Sequence, residues 1–143
     1  MGGGGADRIG VGELELASLH WRMLRRNISQ AYAMRARIVL LAADGFNNCV
    51  IADEMEEILL RSSYSPIVKE GLDASAALFT IGVETLAQSV AIPIHLGTLV
   101  PAVRRIIEEF PLAQMHLDDV HVLTDPYDCG THLPALLLSS PLF

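Results

Sequence analysis

The chain has 143 residues, 51% of them hydrophobic and 19% charged, with a formal net charge of −7. That is enough for one modest core and too apolar for wholesale disorder, while no apolar run nears the roughly 18 residues of a membrane span. The start of the chain lacks a charged segment followed by an apolar one, so no secretory leader is expected, and Ala6 stands where a myristoylation signal needs Ser or Thr.

The charge is uneven. Residues 1–52 hold six arginines against four acids, whereas residues 53–143 hold four basic residues against thirteen acids. The acidic part is a poor ligand for phosphate backbones, which need basic clusters. A shift of this kind suggests two regions of different role. The two cysteines, Cys49 and Cys129, have no paired spacing, so reduced thiols in a cytoplasmic protein are expected.

In chain order, residues 1–12 read as a flexible Gly-rich tail. Leu16, Leu19 and Met23, with Trp21 nearby, keep helical spacing over 13–24. A second helix is expected over 30–44, with Ile38, Leu41 and Ala42 on one side, and Gly45 stopping it where glycine is favoured. Asn47 can cap a third helix over 48–61. Helix, glycine turn and helix make the outline of a helix-turn-helix.

Ser65-Pro66 breaks this pattern, because the residue before proline avoids the α region. Residues 76–80 and 84–89 read as a hairpin turning at Ile81-Gly82-Val83. Residues 92–97 are expected to be a loop around His95. Thr98 then caps a helix over 99–110, with Pro101 in its first turn and Pro111 ending it. Two short strands, 120–123 and 136–140, flank a loop of turn residues, Thr124-Asp125-Pro126-Tyr127-Asp128-Cys129-Gly130-Thr131-His132-Leu133-Pro134. The fold class is α+β: amino-terminal helices followed by a mixed strand and helix segment.

Loops held by strands often carry polar chemistry, which makes His132 and Asp125 candidates. Asp125 can equally close its own turn through an Asx bond. By residue type His95 reads as a partly buried ring packed among neighbours. Lys69, Glu70 and Asp73 form a charge cluster, and Asp73 with Ser75 could cap the turn into the first strand. Cys129 has no evident base beyond His132, and a reactive thiol needs one. His116 and His121 read as surface residues.

The run DPYDCGTHLP resembles the DPYxGGTHLPD signature of the hydantoinase B/5-oxoprolinase family, to which subunits of the acetone carboxylases are related. Residues 60–70 (LRSSYSPIVKE), 72–79 (LDASAALF) and 92–97 (IPIHLG) resemble further blocks of that family in the same order, so the likeness spans about 54–143. It implies a truncated domain of a hydrolase that opens cyclic amides such as hydantoins and 5-oxoproline at the expense of ATP. By the same resemblance an ATP-binding, hydantoinase A-like partner subunit is expected; this chain itself shows no phosphate-binding glycine loop.

The resemblance further implies that His132 belongs to a divalent metal site (Mn or Zn), with a carboxylate three residues on. Ala135 occupies that position here, and a metal needs about three protein donors. By the same resemblance His95 lines the site and is a catalytic candidate. Cys129 stands where the family has glycine, which puts the backbone there in question.

Residues 29–52, with the string RARIVLLAADG, are similar to the amino-terminal helix-turn-helix of mariner-type insertion-sequence transposases. Asp53, Glu54, Glu56 and Glu57 stand where a recognition helix would be basic. Two alternatives to the enzyme reading therefore stay open. One is a DNA-binding module carried by Arg22, Arg25, Arg26, Arg35 and Arg37; the other is a fusion remnant, joined near residue 53, without a function of its own.

Overall fold

The computed structural model describes residues 13–23, 30–89, 92–116, 119–131 and 133–142. Three helices come first: α1 (Glu13–Met23), α2 (Gln30–Ala43) and α3 (Asn48–Ser62). Local chemistry sets the turn between the last two. Gly45 takes φ +83°, a left-handed conformation natural to glycine. Phe46 N–H then donates to Leu41 O at 3.0 Å, closing the end of α2. The next residue, Asn47, caps α3, its Oδ1 accepting from Val50 N–H at 2.9 Å.

Helix α2 is covered more widely than one apolar stripe implies. Arg35, Ala36, Ile38, Val39 and Leu40 are all buried, whereas Leu41 and Ala42 are only half-buried. The burial of Arg35 explains the difference. Its guanidinium donates to Ser140 Oγ and to the Asp119 carbonyl near the far end of the chain. Helix α2 is thereby held to the carboxy-terminal strands as well as packed against α1 and α3.

A short helix absent from the sequence reading, α4 (Pro66–Gly71), starts on the proline that ends α3. Pro suits a first helical position, where its missing N–H costs nothing. Leu72 ends α4 in the left-handed region, φ 53°. The chain then runs into an antiparallel hairpin, β1 (Ala77–Phe79) and β2 (Thr85–Gln88), in which Ala77 faces Gln88 and Leu78 faces Ala87. Buried Ser89 ties its open end, Oγ accepting from Ala76 N–H at 3.0 Å and donating to Ala76 O at 3.2 Å. The hairpin packs on α3, where Ile51 and Ala52 form the centre of the core.

Helix α5 (Pro93–Glu109) begins six residues earlier than the sequence suggested. The expected loop at 92–97 is its first turn, again opened by proline. Thr98 is no cap: its hydroxyl donates back to His95 O at 2.9 Å from inside the helix. Pro101 consequently lies in the helix interior, on an exposed position, where the Gly97 carbonyl has no helical N–H to accept from. The helix ends before Pro111 as expected and is followed by a single 3-10 turn, Leu112–Gln114.

The last two strands, β3 (His121–Leu123) and β4 (Leu137–Ser139), pair antiparallel with Val122 opposite Leu138. They pack on α5, which buries Ala102 and Ile106. His121 and Leu123 lie half-buried, as do their partners Ser139 and Leu137, whereas Val122 and Leu138 face outward at 57% and 60% exposure. The architecture is α+β. No described helix is long and apolar enough to cross a membrane.

Candidate functional site

Helix α5 and the stretch after α4 build one polar cluster. Leu72 reverses the chain in its left-handed conformation, and Asp73 and Ser75 follow it before β1. Across from them stands His95, in the first turn of α5. Ser75 Oγ lies 3.0 Å from His95 Nδ1. On the other side of the ring, His95 Nε2 lies 3.4 Å from Asp73 Oδ1. The imidazole is largely covered, with its side chain 18% exposed, while Asp73 remains 30% exposed.

The charge of Asp73 favours one placement of the ring proton. An ionised carboxylate can only accept, so it favours the hydrogen on the nitrogen that faces it. With Nε2–H turned to Asp73, Nδ1 is left as acceptor for the Ser75 hydroxyl. Serine, imidazole and carboxylate in that order are the arrangement by which a weak hydroxyl nucleophile is activated. Family resemblance, not residue type, gave His95 as a candidate. Residue types gave Asp73 and Ser75 only a surface-charge or capping role, because a contact across twenty residues has no local signature.

The second candidate, Asp125, stands elsewhere. Its Oδ1 accepts from Tyr127 N–H at 2.8 Å, which is the Asx turn, and its carbonyl accepts from Asp128 N–H at 3.2 Å and Gly130 N–H at 3.0 Å. The carboxylate thus serves its own loop. Arg105 of α5 holds that loop through Asp128 Oδ2 at 2.8 Å. Arg105 is ten residues beyond His95, about 15 Å along a helix axis. The structure therefore joins His95 to Asp73 and Ser75, and joins Asp125 to the loop it organises.

Cys129 adopts φ 71°, so the cysteine occupies a backbone conformation suited to glycine. Gly130 beside it has no room for a side chain: a Cβ there would meet the Asp125 carbonyl oxygen at 2.6 Å. Both cysteines are free, Cys49 exposed and Cys129 half-buried.

His132 lies outside the described residues. Among the described residues no group of three or more His, Cys, Asp or Glu side chains comes together to hold a metal ion, and position 135 supplies a methyl group in place of an oxygen donor. The described residues do not by themselves make up a metal site.

His116 is exposed, as expected, and its N–H donates to Asp119 Oδ2 at 2.7 Å. That bond, ahead of any other influence, holds the Asp119 carboxyl below its ordinary range. His121 departs from the surface position expected of it. Its ring stacks on Phe110 with centroids 4.6 Å apart, and its Nε2 is buried without a hydrogen-bond partner among the described residues.

Comparison with known proteins places these residues in a family. The model of the family described as hydantoinase B/oxoprolinase matches residues 47–143, well over half of the chain. An uncharacterized protein of Methanocaldococcus jannaschii is 38% identical over 65% of this chain and 17% of its own length. The 5-oxoprolinase PfmaA of Pestalotiopsis fici is 39% identical over 65% of this chain and 7% of its own. An uncharacterized protein of Schizosaccharomyces pombe is 32% identical over 87% of this chain and 9% of its own, a match that must include residues of the amino-terminal helices. No solved structure matches.

The chain belongs to the hydantoinase B/oxoprolinase family. It spans about a sixth or less of the length of these curated relatives. Asp73, Ser75, His95 and the whole Asp125 loop fall inside the matched residues.

Proposed function

We propose that this chain supplies the part of a cyclic-amide hydrolase that faces the substrate carbonyl, acting with an ATP-binding, hydantoinase A-like subunit. The observation that carries this reading is the His95 ring, held between Ser75 and Asp73 within the family's matched segment. A half-buried imidazole with one nitrogen directed by a carboxylate is equipped to accept and return a proton. Ring opening needs that service twice, at attack on the carbonyl and at departure of the nitrogen. Two of the relatives' features support the substrate class: the family's description and the printed name of the Pestalotiopsis protein.

The test is binding, since turnover awaits the partner. Saturation-transfer NMR of the chain with hydantoin and with 5-oxoproline is expected to show contact that weakens in His95→Ala. Ring opening is expected only when ATP and the partner subunit are added. Absence of binding by either cyclic amide, in a chain that melts cooperatively, contradicts the reading.

A second reading, that the chain is a remnant with no function alone, draws support from one observation. Val122 and Leu138, paired across β3 and β4, present apolar side chains to solvent, with Val120 and Leu136 exposed beside them. Surface of that kind is ordinarily covered in a complete protein. The DNA-binding reading loses ground by comparison. Arg35 is buried and bonded inward, and the exposed Arg37 is shared with Glu54 of α3 through its Nε at 2.6 Å, while Arg22, Arg25 and Arg26 lie outside the described side chains.

A further inference from the structure

We infer that Ser75 is a nucleophile that accepts the acyl group of the substrate, with His95 as its base and Asp73 as the residue positioning the imidazole. The inference rests on the reading above for its substrate class, a cyclic amide, and adds to it a covalent step. Its physical basis is the 3.0 Å approach of Ser75 Oγ to His95 Nδ1 and the carboxylate 3.4 Å from the opposite nitrogen. A serine hydroxyl near the end of a loop can satisfy itself on neighbouring backbone. This one instead meets a ring twenty residues away, brought there by α5. Its side chain is half-buried, so a small carbonyl compound can reach it.

The step balances with ATP, brought by the partner subunit, and two water molecules. The γ-phosphoryl group of ATP passes to the carbonyl oxygen, ADP leaves, and the ring nitrogen gives up its proton. The Ser75 hydroxyl proton passes to His95 Nδ1 as Oγ bonds to the same carbon, and phosphate departs with the carbon–oxygen electron pair and that proton. A first water adds to the carbon, its two protons pass to nitrogen, one by way of Nδ1, and the carbon–nitrogen bond breaks to leave an ester on Ser75. A second water attacks the ester, losing a proton to Nδ1, and Ser75 Oγ departs with that proton. Asp73, facing Nε2, stabilises the imidazolium that exists between the transfers.

A fluorophosphonate probe tests this without any partner, because it reports nucleophilicity and not turnover. Phosphorus takes the place of the carbonyl carbon, fluoride leaves, and the adduct is mapped by peptide mass spectrometry on the full chain. Ser75 is expected to carry the adduct ahead of the exposed Ser62 and Ser65. His95→Gln is expected to slow labelling about 100-fold or more, the ordinary share of a general base. Asp73→Asn is expected to slow it as well and Asp73→Glu to restore it, a rescue that a merely structural role would not produce.

Melting curves separate these effects from loss of fold, and the selectivity of the unaltered chain decides the matter even where a variant unfolds. Labelling spread evenly over exposed serines, or a Ser75 rate indifferent to His95→Gln in a folded chain, overturns the inference. Cyclic-amide binding without Ser75 labelling leaves the broader reading standing and removes the nucleophile. Labelling without such binding does the reverse.

Discussion

Arg105 Nε donates to Asp128 Oδ2 at 2.8 Å, and this bond fastens the loop between β3 and β4 to the flank of α5. The guanidinium also pairs with Glu109, one helical turn on, at 2.8 Å. Its pKa is raised above the ordinary arginine value, first by the hydrogen bond to Asp128 and then by that carboxylate's charge. A raised pKa means that the contribution is complete below the unfolded value and is lost only as pH rises through the folded one. The bond is thus expected to be indifferent to alkali across working pH. Arg105→Met should speed hydrogen exchange at the Asp128 and Gly130 amides, and high salt should reproduce part of that effect in the unaltered chain. Unchanged exchange in the variant contradicts this role.

Backbone conformation at the neighbouring pair gives a sharper expectation. Cys129 holds φ 71°, which costs a residue with a Cβ about 1–2 kcal/mol. Glycine removes that cost and returns about 0.5–1 kcal/mol of it as backbone entropy. Cys129→Gly should therefore stabilise the chain by up to about 1 kcal/mol, read as a higher Tm. Gly130→Ala should act the other way, by about 2 kcal/mol or more, because its Cβ would sit 2.6 Å from a backbone oxygen. A neutral Gly130→Ala would show that the loop opens more easily than its hydrogen bonds to the Asp125 carbonyl suggest.

Arg35 is expected to be the costliest single residue to replace in the amino-terminal helices. Arg35→Met keeps the buried stem and removes the donors to Ser140 Oγ and the Asp119 carbonyl. Hydrogen bonds from a charged donor contribute about 1.5–3 kcal/mol each way of counting, so a loss of about 3 kcal/mol is expected by chemical denaturation. The same variant should raise protease sensitivity at the carboxy-terminal strands, since the arginine joins α2 to them. A loss confined to the amino-terminal helices would show that the two ends are not coupled through this side chain.

Acid should act through Asp119. Its carboxyl is held below the ordinary value by the His116 backbone N–H. A depressed pKa contributes stability that is present above the unfolded value and lost as pH falls through the folded one. Asp119→Asn should remove this part of the acid sensitivity, flattening the fall of Tm below the ordinary carboxylate range. An identical acid limb in the variant contradicts the assignment.

How much of this was legible in the sequence depends on how local the cause was. Gly45 and Asn47 act within one turn, and the ends of α2 and α3 were read correctly from them. The start of α5 was not, because two helix-opening signals compete there. Thr98 can cap, but Pro93 at a first helical position is satisfied earlier, and the threonine hydroxyl then turns back to the His95 carbonyl. Helix α4 escaped because a proline that ends one helix can also open the next. The turn role of Asp125 was visible in Asp-Pro itself. The meeting of Ser75 with His95 was not, since nothing within either segment records the other; nor was the burial of His121 against Phe110, eleven residues back.

The state of the His95 ring tests the account most directly. Nitrogen-15 NMR of the imidazole distinguishes the two neutral tautomers and reports which nitrogen accepts a hydrogen bond. The account predicts the Nε2–H form, with Nδ1 accepting from Ser75, and a loss of that bias in Asp73→Asn. A ring protonated at Nδ1, or one averaging freely between tautomers in the folded chain, would contradict it.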